Sequence, residues 1–64
     1  MKYNLSFYES EKKSKGDKWC TSIYAENDEE AIKKVEEKRK NGNYYYCKLY
    51  KIFYSQKIIK KWEK

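Results

Sequence analysis

The side chains best suited to chemistry in this chain are its eight tyrosines and fifteen lysines, and they mix most densely at the C-terminal end. There Tyr44-Tyr45-Tyr46-Cys47-Lys48-Leu49-Tyr50-Lys51-Ile52-Phe53-Tyr54 runs through Ser55-Gln56 into Lys57-Ile58-Ile59-Lys60-Lys61-Trp62-Glu63-Lys64. Lysine neutralises phosphate, and a tyrosine ring stacks on a nucleobase or packs into a protein interface. From Tyr44 onward there are six Lys and one acid, Glu63, so the segment carries +5. Residues 1–43 hold ten basic and nine acidic residues and carry only +1. Charge gathered among aromatic rings suits contact with something large and negative.

Other chemistries lack their residues. The chain has no His, so it offers no imidazole base and no His metal ligand. Cys20 and Cys47 are too far apart for the paired spacing of a zinc site. Gly16 and Gly42 are isolated and form no phosphate-cradling loop. Asp28-Glu29-Glu30 and Glu36-Glu37 fall at helical positions and read as capping and solvated charge. The expectation is a binding protein and not an enzyme, with no cofactor and no metal.

Length sets further bounds. Sixty-four residues suggest one domain, residues 1–64, with a small core: such a chain buries only about 60% of its unfolded surface. No apolar run approaches the ~20 residues that span a membrane. The N-terminal Met1-Lys2-Tyr3-Asn4-Leu5 alternates instead of forming an apolar block, which leads us to expect a cytoplasmic protein. Two cysteines fit a reducing compartment, because a small secreted domain is usually richer in Cys. Abundant Lys, Asn, Tyr and Ile, all with AT-rich codons, point to an AT-rich bacterial genome or one of its phages.

The elements that position these side chains follow from periodicity. Residues 3–8 alternate, with Tyr3, Leu5 and Phe7 on one face; residues 19–25 resume alternation, with Trp19, Thr21, Ile23 and Ala25 sharing a face. A polar, Lys-rich stretch with a turn at Gly16-Asp17 joins them as a hairpin. A helix follows, with Asn27 as N-cap and Glu30 as its capping-box partner. Acids stand in its first turn and Lys38, Arg39 and Lys40 in its last, matching the dipole. Ala31, Ile32 and Val35 form its narrow apolar stripe, and Gly42 is placed to end it. Tyr44–Tyr54 and Lys57–Trp62 are the last two strands. The expected fold is α+β: a small antiparallel sheet with one helix packed on one face, in the order ββαββ.

One face of such a sheet has no covering layer. With Leu5, Phe7, Ile23 and Ala25 under the helix, Tyr8 and Tyr24 face outward. In the third strand, Cys47, Leu49 and Phe53 are assigned inward together with Tyr45 and Lys51, leaving Tyr44, Tyr46, Lys48, Tyr50, Ile52 and Tyr54 outward; a bulge or one-residue slip reverses this assignment. Lys60 and Lys61 are expected at the edge of the surface. The candidate binding residues are therefore Tyr8, Tyr24, Tyr46, Lys48, Tyr50, Tyr54, Lys60 and Lys61. The competing reading is that the rings only pair across strands, or that a homodimer buries them. Lys12, Lys13, Lys15 and Lys18 in the first loop offer a second phosphate contact. A single Arg disfavours bidentate reading of guanine, so any nucleic-acid binding should be weakly specific and strongly salt-dependent.

A resemblance narrows the context. Ile23-Tyr24-Ala25-Glu26-Asn27-Asp28-Glu29-Glu30-Ala31-Ile32-Lys33-Lys34-Val35-Glu36-Glu37 resembles the strand–cap–helix passage of short phage and mobile-element proteins. Asn43 to Ile52 resembles their next strand. Such proteins include anti-CRISPR and other counter-defence inhibitors, usually non-enzymatic and acting by occlusion. The resemblance implies an inhibitor of a bacterial defence nuclease complex that binds a protein or ribonucleoprotein target in the host cytoplasm. The chain is basic, which disfavours mimicry of DNA and favours contact with guide RNA or an acidic effector face. The alternative is a basic nucleic-acid-binding accessory protein, RNA or DNA, with no membrane partner and acting as a monomer or homodimer.

Overall fold

A computed structural model describes residues 1–52 and 54–63. It has four strands and one long helix: β1 (Lys2–Tyr8), β2 (Lys18–Tyr24), α1 (Asp28–Asn41), β3 (Tyr45–Ile52) and β4 (Gln56–Lys61), with a short 3-10 turn at Lys15–Asp17 between β1 and β2. The strands form one antiparallel sheet in the order β2-β1-β3-β4. This is the α+β layout expected from the alternating strands and the capped helix. The expected inward placement of Phe53 lies outside the described residues.

The helix starts where its cap chemistry dictates. Asn27 is extended, and its side-chain oxygen accepts from the Glu30 backbone N–H at 2.9 Å, satisfying a donor that the helix itself leaves unpaired. The Glu30–Lys34 pair closes at 3.5 Å on the exposed surface, and pairs of this kind contribute only about 0.3–0.5 kcal/mol. At the far end Gly42 is extended, not left-handed, so conformational freedom is not why glycine stands there. A Cβ on Gly42 would lie 2.8 Å from the Tyr44 ring. Glycine lets that ring lie across the helix end and reach Phe7, with ring centroids 4.5 Å apart.

The helix covers one face of the sheet with Ala31 and Val35, over Tyr3, Leu5, Phe7, Ile23, Ala25, Cys47, Leu49 and Trp62. Ile32, Tyr44 and Ile59 pack at its margin. At one end of this layer the Tyr3 hydroxyl donates to the Asp28 carboxylate at 2.6 Å, and the Lys51 ammonium lies 3.3 Å from the same oxygen. Asp28 is thereby held below the ordinary carboxylate range, chiefly by the Tyr3 hydroxyl. Burial raises the Tyr3 phenol above its ordinary value, and the neighbouring Asp28 adds to the effect.

Two irregularities decide which side chains face outward, and both correct the simple alternation. Between Ser6 and Tyr8 the β1–β3 register shifts, and Tyr46 takes a φ of 52°. The bulge sets Tyr45 opposite Tyr8 and sends Tyr44 to the core side, the reverse of the expected assignment of these two. In β4, Tyr50 opposes Ile58 while Leu49 opposes Lys60, so Ile59 is the extra residue. Lys60 consequently points to the helix side, where its ammonium is 3.7 Å from Glu36 and 5.2 Å from the Trp62 ring centroid. Lys60 therefore does not border the open face. Tyr54 also departs from expectation: β3 ends at Ile52, and Tyr54 stands fully exposed in the β3–β4 turn.

Candidate nucleic-acid interface

The open face is built from alternate residues of four strands. Asn4 and Ser6 of β1 lie between Ser22 and Cys20 of β2 and Tyr50 and Lys48 of β3. Lys48 in turn pairs with Lys61 of β4. The small side chains in the middle make a low floor, with Ser6 nearly buried. Around that floor stand tyrosines and lysines.

They enclose a cleft of about 230 Å³ with Ser6 in its floor, lined by Tyr8, Tyr46, Lys13, Lys18, Lys48 and Lys61, with Glu63 at the rim. That is smaller than the ~300–1,000 Å³ of typical drug-sized ligand sites. The Tyr8 and Tyr46 rings meet edge to face, with centroids 6.0 Å apart. The Lys13 ammonium sits 4.3 Å from the Tyr46 centroid, and that of Lys18 lies 6.0 Å from Tyr8. Cation–π contacts of this kind hold a lysine in place while leaving its charge unneutralised. Three ion pairs form among the described residues: Lys34–Glu30, Lys51–Asp28 and Lys60–Glu36. None of them uses a cleft lysine. Four lysines against one carboxylate leave the cleft at +3.

The backbone around the cleft is unusual. Among the described residues, two non-glycine residues, Lys13 and Tyr46, take positive φ, at 53° and 52°. This conformation is uncommon for residues with a Cβ and costs of order 1–3 kcal/mol where it is strained. These two residues touch each other across the cleft wall. The Tyr46 hydroxyl also donates to the Glu11 carbonyl at 2.9 Å, tying the first loop to β3. Of the four lysines expected to offer a second phosphate contact, Lys13 of the loop and Lys18 at the start of β2 join the sheet lysines in one cleft, whereas Lys12 and Lys15 do not line it.

The expected site residues divide accordingly. Tyr8, Tyr46, Lys48 and Lys61 come together in the cleft. Tyr50 lies beside it on the same face, opposite Ile58, with the Lys48 ammonium 5.0 Å from its ring centroid. Lys48 also reaches Gln56, donating to Oε1 at 3.3 Å, and so spans from the cleft toward the β3–β4 turn. Tyr24 is exposed on the outer strand β2, opposite Lys2 and away from the cleft. Lys60 and Tyr54 lie elsewhere, as described above. The face is divided in character: four lysines crowd one end, while Tyr50, Ile52 and Ile58, with Lys2 beside Ile52, make the other end mostly aromatic and aliphatic. Ser6 and the bulge at Tyr46 escaped the sequence reading; the run Tyr44-Tyr45-Tyr46 contains no Gly or Pro to signal an irregularity.

The two cysteines cannot pair across neighbouring strands, because β1 separates β2 from β3. Cys20 is exposed opposite Ser6 on the open face, whereas Cys47 is buried in the core. Burial pushes the Cys47 thiol above its ordinary value, and Arg39 partly offsets the effect. Among the described residues, no cluster of three or more His, Cys, Asp or Glu is arranged to hold a metal ion. Nor is any helix there long and apolar enough to cross a membrane. No protein-family model, curated protein or solved structure matches the chain.

Proposed function

We propose that this protein is a non-enzymatic, cytoplasmic binding protein whose open sheet face engages single-stranded nucleic acid. The observation that carries this reading is the pairing of Tyr8 and Tyr46 within a ring of four lysines that have no acidic partner among the described residues. Phosphates lie against Lys13, Lys18, Lys48 and Lys61, while unstacked bases lie on the half-buried rings of Tyr46 and Tyr50, displacing the lysine ammonium groups that rest over them. Duplex fits less well, because its bases are stacked away from a flat aromatic face. Binding tolerates many sequences, since stacking and phosphate contact carry little base information. The test is titration of labelled single-stranded and duplex oligonucleotides. Preference for the single strand, with affinity falling steeply in salt, supports the reading; equal or absent binding counts against it.

A second reading is favoured by the other end of the face, where Ile52, Ile58 and Tyr54 are exposed. These side chains offer nothing to phosphate but suit a protein surface. A bacterial defence ribonucleoprotein presents both chemistries, guide RNA and protein. Inhibition of such a complex by direct binding, as in anti-CRISPR proteins, uses the whole face. A pull-down from bacterial lysate with and without nuclease treatment separates the two. Retention of one protein complex after RNA and DNA are removed favours inhibition; loss of all partners favours nucleic acid alone.

A further inference from the structure

The two outer strands of the sheet differ in how well they are protected from pairing with another chain. β4 carries Lys57, Lys60 and Lys61 and a bulge at Ile59. Charge, lysine above all, and bulges are the devices by which proteins blunt an edge. β2 has neither. It pairs with β1 over seven successive residues without a register shift, and its one charge is Lys18 at its start. Among the described residues no element continues the sheet beyond it. Its outer row of backbone donors and acceptors therefore faces outward, apart from the Tyr24 carbonyl, which accepts from the Lys34 ammonium and must be released for a second copy to pair there. The row is flanked by Trp19 at 52% and Tyr24 at 64% exposure.

The sequence of β2 complements itself. If a second copy runs antiparallel to it about Thr21, Lys18 faces Tyr24, Trp19 faces Ile23, Cys20 faces Ser22, and Thr21 faces Thr21. Each of these pairs is compatible or favourable: the aliphatic stem of Lys18, whose ammonium stays in the cleft near Tyr8, beside a phenol ring, an indole on a β-branched side chain, and two pairs of small side chains. No like charges oppose one another in this register. A shift by one residue would place Trp19, from the helix side, against an open-face position and lose the match of faces.

We propose that two copies of this chain join β2 to β2 about Thr21, extending the sheet to eight strands. The two-fold axis is perpendicular to the sheet, so both lysine clefts lie on one continuous open face and both helices on the other. The exposed Trp19 ring is then covered by the neighbouring copy. This proposal does not depend on what the clefts bind.

The test is sedimentation equilibrium of nuclease-treated protein in high salt, which removes any nucleic acid that could bridge copies. The expected result is a reversible monomer–dimer equilibrium with a dimer of twice the 7.9 kDa chain mass. Thr21→Lys, at an exposed position, sets two ammonium groups face to face and should leave only monomer with unchanged circular dichroism. In a Cys20→Ser background, Thr21→Cys should form a covalent dimer under mild oxidation, whereas Glu29→Cys on the helix should not. A wild-type protein that stays monomeric up to millimolar concentration overturns the proposal. So does a dimer that survives Thr21→Lys.

Discussion

Tyr8 and Tyr46 meet edge to face at 88°, although a register shift separates their strands at this point. The bulge that turns Tyr46 into the left-handed region also brings its ring beneath Lys13 and its hydroxyl to the Glu11 carbonyl. One irregular residue thus joins the sheet to the first loop and completes the cleft. Tyr46→Phe should keep the ring but release the loop. Tyr46→Ala should remove a stacking platform as well, at about 1–3 kcal/mol of single-strand affinity. Comparing the two by fluorescence anisotropy shows whether ring or hydroxyl matters. Equal affinity in wild type and folded Tyr46→Ala would remove this ring from the interface.

Lys60 and Lys61 are adjacent in sequence but occupy opposite faces, and their variants should differ accordingly. Lys61→Glu adds an acid to the cleft and should weaken nucleic-acid binding, with added salt narrowing the difference from wild type. Lys60→Glu faces Glu36 and should lower the melting temperature while leaving affinity of the folded protein near wild type. Similar losses of affinity in both variants would contradict the bulge at Ile59.

Acid should loosen the fold through Asp28. Its carboxyl lies below the ordinary value of 3.8, so the stabilisation is present above that value. It is lost as pH falls through the lower, folded value. The Tyr3 phenol lies above its ordinary value of 10.0; its contribution is present below pH 10.0 and is lost as pH rises through the folded value. Tyr3→Phe abolishes the phenol titration and removes the largest cause of the Asp28 shift, leaving the smaller contribution of Lys51. Melting temperature against pH should therefore be flatter in Tyr3→Phe than in wild type at both extremes, and parallel curves would count against the Tyr3–Asp28 link.

On the proposed reading the helix serves only as scaffold. Asn27→Ala removes the cap acceptor for the Glu30 N–H and should cost about 0.5–2 kcal/mol of stability. Affinity measured on the folded fraction should not change. A binding defect with full thermal stability would place α1 in the interface.

Much of this fold can be read from the chain because its signals are local. Asn27, Glu30 and the acid-to-base gradient of the helix act within a few residues, and Leu5, Phe7 and Ile23 follow strict alternation. The site is less legible because its decisive events are irregular pairings between distant segments. Nothing in Tyr44-Tyr45-Tyr46 or Lys57-Ile58-Ile59-Lys60 marks a bulge, yet each bulge reverses the facing of its neighbours. Tyr44 moved to the core and Lys60 to the helix side for this reason. The first-loop lysines were visible as charge, but only the contacts of Tyr46 with Lys13 and Glu11 bring that loop to the cleft.

The salt dependence of single-strand binding tests the central claim most directly. Each neutralised phosphate contributes roughly −0.7 to the slope of log affinity against log salt, so four cleft lysines predict a slope of about −3. The quadruple variant with Lys13, Lys18, Lys48 and Lys61 all replaced by Gln should bind far more weakly, and its slope should approach zero while the fold persists by circular dichroism. A quadruple variant that remains folded and keeps both wild-type affinity and slope would contradict the account and place binding outside the open face.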